Sequence, residues 1–207
     1  MLKKLAACIM VMAIAVAFMP TSAFAGSKTV KMTASNKVVI NGDYAYCAGA
    51  SGIYKVKVKK GKATSIKRLV KNNEVFGAYS YYDAMKKKGK YLYYREGGEG
   101  TVGYINRVNV SSGKQKSLAM IGFQGDYVIK GKKIYYYKYD EESDNPPKRE
   151  MKLNGKNKKK SSKKAVLKTR TSNEPGYTVK IREKGDYVRD YLETPKGTYY
   201  LGKAKIW

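Results

Sequence analysis

The stretch "KGKYLYYREGGEGTVGYINRVNVSSGKQKSL", residues 88–118, decides the fold class of this chain. It opens with a turn at Gly89 and continues through an alternating aromatic strand and a polar loop. A second alternating strand then ends at a Gly-Lys turn. Tyrosine, valine and isoleucine at every second position suit a pleated, half-buried surface, whereas a helix would scatter them around its axis. The stretch therefore predicts a unit of β-hairpins.

The chain repeats this unit. Four opening turns share a glycine followed by a polar residue: Gly42, Gly89, Gly131 and Gly185. Successive opening glycines are 47, 42 and 54 residues apart. A period in this range, with three to four short strands per unit, is typical of propeller blades or a related β array. Each unit also ends at a predicted Gly-Lys turn: Gly61, Gly113, Gly155 and Gly202.

We therefore predict an all-β fold with about four propeller-blade-like repeats of antiparallel strands, forming a small or incomplete β-propeller. The predicted domain covers residues 26–207, with units near residues 36–73, 77–121, 122–168 and 177–207. "KTVKM", residues 28–32, is a further strand candidate, and its pairing into the last unit would remove both open edges. In the triple Tyr135, Tyr136 and Tyr137, the first and third face one side of the predicted strand and the second faces the other, and most of these tyrosines are expected to pack in the core.

The order of glycine turn, paired tyrosines, loop, tyrosine-aliphatic strand and Gly-Lys turn resembles bacterial β-propeller repeats. These repeats are related to the YWTD propellers of the low-density-lipoprotein receptor and occur in secreted Gram-positive proteins. The second unit matches best, at Gly89, Tyr91, Tyr93, Tyr94, Tyr104, Ile105, Val108, Gly113 and Lys114. The first unit matches at Tyr44, Tyr46, Tyr54, Val56, Gly61 and Lys62. The resemblance covers most of residues 36–207 and implies a propeller fold without a catalytic signature.

A second resemblance concerns the stretch "KGTYYLGKAKIW", residues 196–207. It is similar to the aromatic-glycine repeats of Gram-positive choline- or glucan-binding modules. Those repeats are rich in tryptophan and about twenty residues long, whereas Trp207 is the one tryptophan of this sequence. The propeller-like resemblance is therefore favoured.

The first 25 residues have the pattern of a secretory signal peptide. Two lysines precede an apolar run from Leu5 to Phe18, and small residues stand at Ala23 and Ala25. We predict cleavage after Ala25 and a secreted protein, extracellular or associated with the cell wall. An uncleaved anchor is the alternative, but the run is short for a membrane span and Pro20 interrupts it.

The composition excludes some functions and favours others. The net charge is +27, and it becomes +25 after removal of residues 1–25, which contain two lysines and no acid. Lysines outnumber arginines 36 to 7, which favours diffuse attraction to a polyanion over bidentate reading of phosphates or bases. The chain has no histidine, so histidine-dependent triads and zinc sites are excluded. Cys47, the one cysteine left after cleavage, is expected to be a small buried hydrophobic residue.

Two lysine clusters are the candidate polyanion-binding site: Lys86, Lys87, Lys88, Lys156, Lys158, Lys159, Lys160, Lys163 and Lys164. Each run taken alone is more typical of a solvated turn. Together with the net charge, they predict a surface that faces an anionic cell-wall polymer, a glycan or a peptide, with nucleic acid as a less favoured partner.

The acidic residues give no firm site. Four carboxylates crowd residues 140–144 and are compatible with calcium, but their spacing does not match a calcium loop, so a soluble turn is favoured. Asp43, Asp126 and Asp186 all lie in Gly-Asp-Tyr turns, where the aspartate stabilises the turn. We therefore predict no catalytic residue, no metal and no cofactor.

The sequence thus predicts a secreted, non-enzymatic β-repeat module that binds or scaffolds at the cell envelope. Lysines would attract it to anionic polymers. Two alternatives stay open: a carbohydrate-active enzyme that works with carboxylates, and a binder of extracellular nucleic acid that uses lysines and stacked tyrosines.

Overall fold

A computed structural model describes residues 30–31, 37–72, 74–75, 82–97, 102–122, 127–139, 147–161, 165–166 and 176–206. The signal peptide predicted for residues 1–25 lies outside these ranges. Within them, no helix is long and apolar enough to cross a membrane. The strands of these ranges form four four-stranded sheets and one two-stranded sheet.

The first two sheets, called units 1 and 2, are antiparallel, and their strands lie in chain order. Strand β1 (Val30–Lys31) precedes them. Unit 1 contains β2 (Val38–Asn41), β3 (Tyr44–Ala48), β4 (Gly52–Lys59) and β5 (Lys62–Lys71). The short strand β6 (Glu74–Val75) follows. Unit 2 contains β7 (Tyr82–Lys88), β8 (Tyr91–Gly97), β9 (Val102–Asn109) and β10 (Gln115–Gly122).

The consecutive strands of units 3 and 4 also pair in antiparallel fashion. The last strand of unit 3 is short, and the fourth strand of unit 4 comes from an earlier part of the chain. Unit 3 contains β11 (Tyr127–Lys130), β12 (Lys133–Tyr137), β13 (Lys148–Lys152) and β14 (Lys159–Lys160). Strand β15 (Ala165–Val166) follows. Unit 4 contains β16 (Thr178–Lys184), β17 (Tyr187–Thr194) and β18 (Gly197–Ile206), with β6 as its fourth strand. The all-β, blade-like architecture is thus confirmed, and none of the four sheets closes on itself.

The edge strands differ from the prediction. β1 falls within the strand candidate at residues 28–32, but it pairs in parallel with β15 rather than with unit 4. β6 lies parallel to the edge of β18 instead. The physical reason is proximity, because β6 follows the last strand of unit 1 and unit 1 packs directly against unit 4. An unpaired edge strand can pair with a strand of another molecule, and β6 covers part of the edge of β18.

The opening turns are confirmed. Gly42, Gly89, Gly131 and Gly185 have φ values of 58°, 54°, 60° and 57°, which a residue with a Cβ rarely adopts. The closing turn predicted at Gly202 is wrong. That residue lies inside β18, which runs on to Ile206 because the fourth strand of unit 4 comes from elsewhere in the chain.

Three seams between units hold the core. Between units 1 and 2, Tyr46 and Ile53 pack in one cluster with Met85 and Leu92. No apolar cluster of the described residues joins units 3 and 4.

The other two seams use the same residue types. Between units 2 and 3, Tyr93 and Ile121 pack with Tyr127. Between units 1 and 4, Tyr54 packs with Leu192. Tyr135 and Tyr136 are buried, which confirms the predicted core role for these two, whereas Tyr137 is only partly buried. The fully buried Cys47 confirms the prediction for that thiol. Burial raises the pKa of Cys47.

A buried carboxylate fastens unit 4 to unit 1. Asp190 of β17 is fully buried, and its two oxygens accept hydrogen bonds from the backbone N–H groups of Ala50 at 2.9 Å and Ser51 at 2.8 Å. The Ser51 hydroxyl donates to Asp190 Oδ2 at 2.5 Å and lies 2.5 Å from the Tyr54 hydroxyl. We call this set of contacts the Asp190 clamp. Burial raises the pKa of Asp190, and the hydrogen bonds from Ser51 and Ala50 oppose that rise.

Two glycines make room for the clamp. A Cβ on Gly49 would lie 2.2 Å from the carboxylate carbon of Asp190. A Cβ on Gly202 would lie 2.2 Å from the Tyr54 hydroxyl and 2.1 Å from a guanidinium nitrogen of Arg68. The backbone at Gly49 and Gly202 therefore lies closer to the side chains of the neighbouring unit than any residue with a Cβ would allow.

The clamp predicts the effect of Asp190→Asn. The amide offers one acceptor oxygen in place of two, so at least one buried N–H group of Ala50 or Ser51 loses its partner. We expect the free energy of unfolding, measured by urea denaturation, to fall by about 1–3 kcal/mol.

The matched control is Asp186→Asn, which changes an exposed turn carboxylate on the same unit. We expect this variant to stay within about 0.5 kcal/mol of the wild type. Equal stability of the two variants would contradict the structural role of the clamp.

Candidate functional site

The two predicted lysine clusters lie at different seams. Lys86, Lys87 and Lys88 belong to β7, at the seam between units 1 and 2. Lys86 and Lys88 are exposed, whereas Lys87 is partly buried, with its Nζ 5.8 Å from the centre of the Tyr46 ring. Burial lowers the pKa of Lys87, and the nearby charge of Lys55 lowers it further. Lys87 is therefore an internal contact more than a surface charge.

The second cluster lies on the hairpin between β13 and β14. Lys156, Lys158, Lys159 and Lys160 are all exposed there. Lys163 and Lys164 lie outside the described residues. The hairpin thus presents four lysines side by side at the edge of unit 3.

One lysine of this hairpin is partly neutralised. Glu150 of β13 accepts a hydrogen bond from Lys133 at 2.7 Å, and its carboxylate lies 3.6 Å from the Nζ of Lys159. The hydrogen bond from Lys133 lowers the pKa of Glu150 below its ordinary value. The charges of Lys156, Lys158 and Lys160 have no carboxylate partner among the described ion pairs.

A pocket lies beside this hairpin, at the seam between units 2 and 3. Its volume is ≈ 410 Å³, within the range typical of small-ligand sites. Its apolar or aromatic walls are formed by Ala119, Met120, Tyr136 and Tyr139. Its three cations are Lys138, Arg149 and Lys158. We call it the seam pocket. The described part of the lining contains no carboxylate, so it suits an anionic group attached to an apolar or ring-shaped body.

Arg149 brings an unsatisfied hydrogen-bond donor to the pocket. It pairs with Tyr136 across β12 and β13, and its Nε is buried without a hydrogen-bond partner in the described part of the structure. Burial raises the pKa of Tyr136, while the charge of Arg149 lowers it. A buried donor without a partner is costly, and an acceptor brought by a ligand would satisfy it.

Cations stacked on tyrosine rings recur across the structure. Lys55 lies 4.0 Å from the centre of the Tyr44 ring, and the guanidinium carbon of Arg107 lies 4.1 Å from the centre of the Tyr91 ring. Each contact holds a positive charge over an aromatic face and is worth about 0.5–1 kcal/mol at an exposed site. The tyrosines therefore order part of the basic surface, besides filling the core.

The acidic residues of the described ranges do not gather into a metal-binding group. No group of three or more histidine, cysteine, aspartate or glutamate residues is placed to hold a metal there. Asp83 is paired with Arg95 at 2.5 Å, and Asp190 belongs to the clamp. Residues 140–144, considered for calcium, and Asp126 lie outside the described residues.

Comparisons with known proteins add little about function. No protein-family model matches this sequence, and no curated protein matches it. Among solved structures, apo AztD from Citrobacter koseri matches 85% of this chain with 10% identity and a TM-score of 0.35. A crystal structure of Citrobacter koseri AztD matches 84% of this chain with 11% identity and a TM-score of 0.34.

This chain spans about half of AztD, since each match covers 47% of the AztD chain. The four blade-like sheets agree with the propeller-like repeats implied by the sequence resemblance, but no family is identified. At these TM-scores, function follows from the chain's own residues alone.

Sequence reasoning found the hairpin lysines but missed the seam pocket and the Asp190 clamp. A signal for the clamp was present, because Asp190 stands between Val188 and Leu192 on the apolar side of an alternating strand. The seam pocket left no such signal, since its walls come from two units whose packing no single strand reveals.

The ion pair of Glu150 predicts a pH-dependent stability. A carboxyl whose pKa is lowered in the folded state stabilises the fold above its ordinary value of 4.5 and loses that contribution as the pH falls. We expect Glu150→Gln to be less stable than the wild type at pH 7. The difference should shrink as the pH falls below 4.5, as measured by thermal unfolding.

The control for this experiment is Glu183→Gln, which changes an exposed glutamate outside the described ion pairs. Its difference from the wild type should not depend on pH. A Glu150→Gln difference that persists unchanged into acid would show that Lys133 and Glu150 contribute no charge interaction.

Proposed function

We propose that this chain is a secreted, non-enzymatic binding module that attaches to an anionic polymer of the cell envelope. The contact surface is the seam pocket together with the exposed hairpin lysines Lys156, Lys158 and Lys160. One observation carries the proposal: among the described residues, the seam pocket is lined by three cations and by no carboxylate.

The residues that line the pocket suit a ligand built of repeating anionic units. Its aromatic and apolar walls, Met120 and Tyr136 among them, suit the sugar or alkyl part of such a unit. Lys138, Arg149 and Lys158 suit its phosphate or carboxylate. A polymer longer than the pocket would continue over the hairpin, where the remaining lysines extend the positive field.

Lysine chemistry supports loose attachment along a polymer more than recognition of one fixed epitope. An ammonium group is a compact, strongly hydrated charge on a flexible stem, without the fork geometry that fixes a guanidinium on phosphate. Attraction of this kind is screened over about 10 Å at 0.1 M salt. Binding should therefore weaken steeply as the salt concentration rises.

A hydrolytic role finds less support. Glycoside hydrolysis needs two carboxyl groups about 5–10 Å apart on either side of the bond. The buried or half-buried carboxylates of the described residues are engaged: Asp83 with Arg95, Glu96 with Asn106, Glu150 with Lys133, Glu193 with Lys180, and Asp190 with the loop of unit 1. The seam pocket contains none of them, which favours binding without cleavage.

The proposal predicts that loss of the pocket cations weakens wall binding. In a pelleting assay with isolated Gram-positive cell walls, the triple variant Lys138→Ala, Arg149→Ala and Lys158→Ala should bind about tenfold or more weakly than the wild type. Raising the salt from about 50 to 500 mM should release the wild type as well.

The matched control removes the same charge from unit 1, through Lys57→Ala, Lys59→Ala and Lys62→Ala, three exposed lysines on β4 and β5. It should weaken binding by less than about threefold, as expected for distant, screened charges. Equal weakening by both triples would mean that net charge alone drives binding. Retention that ignores salt would contradict the electrostatic mechanism.

A further inference from the structure

Unit 4 has two faces of different chemistry. Along β17, Val188, Asp190 and Leu192 are buried toward unit 1. Tyr187 and Tyr191 alternate with them and lie on the opposite face. We call that opposite face the outer face of unit 4. No apolar cluster of the described residues joins units 3 and 4 or includes a side chain of this face.

The outer face is strongly basic. The strand register places six cations on it: Lys180, Arg182, Lys184, Arg189, Lys203 and Lys205. The register of unit 4 places two carboxylates among them: Glu193, which is paired with Lys180 at 3.1 Å, and Glu74 of β6, which stands opposite Lys205. The positive charge on this face is therefore largely uncompensated.

Tyrosines alternate with these cations and order them. Arg182 lies 5.1 Å from the centre of the Tyr191 ring, and Lys203 lies 4.2 Å from the centre of the Tyr187 ring. Tyr200 meets Tyr191 edge-on, with ring centres 5.7 Å apart and planes inclined at 61°. Two of these rings are open to solvent, since Tyr187 is 37% exposed and Tyr200 is 49% exposed.

Arg189 adds a donor that lacks an acceptor. It stands beside Lys203 and Arg182 in the register, and its Nε is buried without a hydrogen-bond partner among the described residues. An anionic oxygen placed over the centre of the face would satisfy this donor.

We propose that the outer face of unit 4 binds single-stranded nucleic acid without sequence preference. Such binding combines a row of cations for the backbone with aromatic rings on which bases stack, and this face carries both. An anionic polymer without planar rings would contact the cations but could not stack on the ring of Tyr200. This inference goes beyond the proposed function, because it concerns another unit and another class of polymer.

The experiment compares two probes of equal charge on the full chain. One is a fluorescent 20-nucleotide oligo-dT, and the other is an abasic strand of the same length. At about 0.1 M salt, oligo-dT should bind at least about fivefold more tightly than the abasic strand, since stacking of each base on an aromatic ring adds to the shared electrostatic attraction.

Substitution of Tyr200 identifies the face. Tyr200→Ala should weaken oligo-dT binding by about fivefold to a hundredfold and leave binding of the abasic strand unchanged. Tyr200→Phe keeps the ring and should bind as the wild type does. The matched control is Tyr104→Ala, which removes a tyrosine of unit 2 that is 38% exposed, and it should change neither affinity.

Two results would overturn the inference. Equal affinity for oligo-dT and the abasic strand would show that the face is a general polyanion surface. Equal effects of Tyr200→Ala and Tyr104→Ala would place any stacking elsewhere. Neither result bears on the seam pocket, whose test uses cell walls and the three pocket cations.

Discussion

Asp190 joins unit 4 to unit 1 through backbone N–H groups of the loop that contains Ala50 and Ser51. A carboxylate is costly to bury, and it becomes tolerable when donors satisfy both oxygens. Here two backbone donors and the Ser51 hydroxyl do so, and glycine at position 49 lets the loop come close enough. The contact joins parts of the chain separated by 140 residues. The placement of the last unit against the first depends on this contact.

The other seams are apolar, and they tolerate substitutions better than the Asp190 clamp does. Tyrosine, isoleucine, leucine and methionine fill the seams between units 1 and 2 and between units 2 and 3, and such cores accept volume-conserving changes. The Asp190 clamp requires defined donors, acceptors and glycines instead. Beside three packed seams, the described residues form two kinds of basic surface: a pocket where two units meet, and the outer face of unit 4. Tyrosine serves both surfaces, since its ring packs or stacks while cations lie on its face.

Much of the fold follows from the sequence, because turns and strand alternation are local. Glycines at the opening turns need positive φ, and "YKVKV" at residues 54–58 can bury Tyr54 and Val56 only as a strand. The origin of edge strands is not local. β6 completes unit 4 although it follows unit 1, and β1 pairs with β15, since tertiary proximity decides those pairings. The candidate site divides in the same way. The hairpin lysines are close together in the sequence and can be predicted from it. Arg149 and Met120 line the same pocket only after units 2 and 3 pack.

The backbone amides of Ala50 and Ser51 give the most direct test of this account. Their hydrogen bonds go to Asp190 and to no backbone carbonyl of their own sheet, so their exchange with deuterium reports on the clamp alone. Measured by NMR, both amides should be protected to the same degree as those of Tyr54 and Val56 in β4, because units 1 and 4 would then open together. Rapid exchange of Ala50 and Ser51 while β4 stays protected would contradict it, since unit 4 would then not be fastened to unit 1 through Asp190.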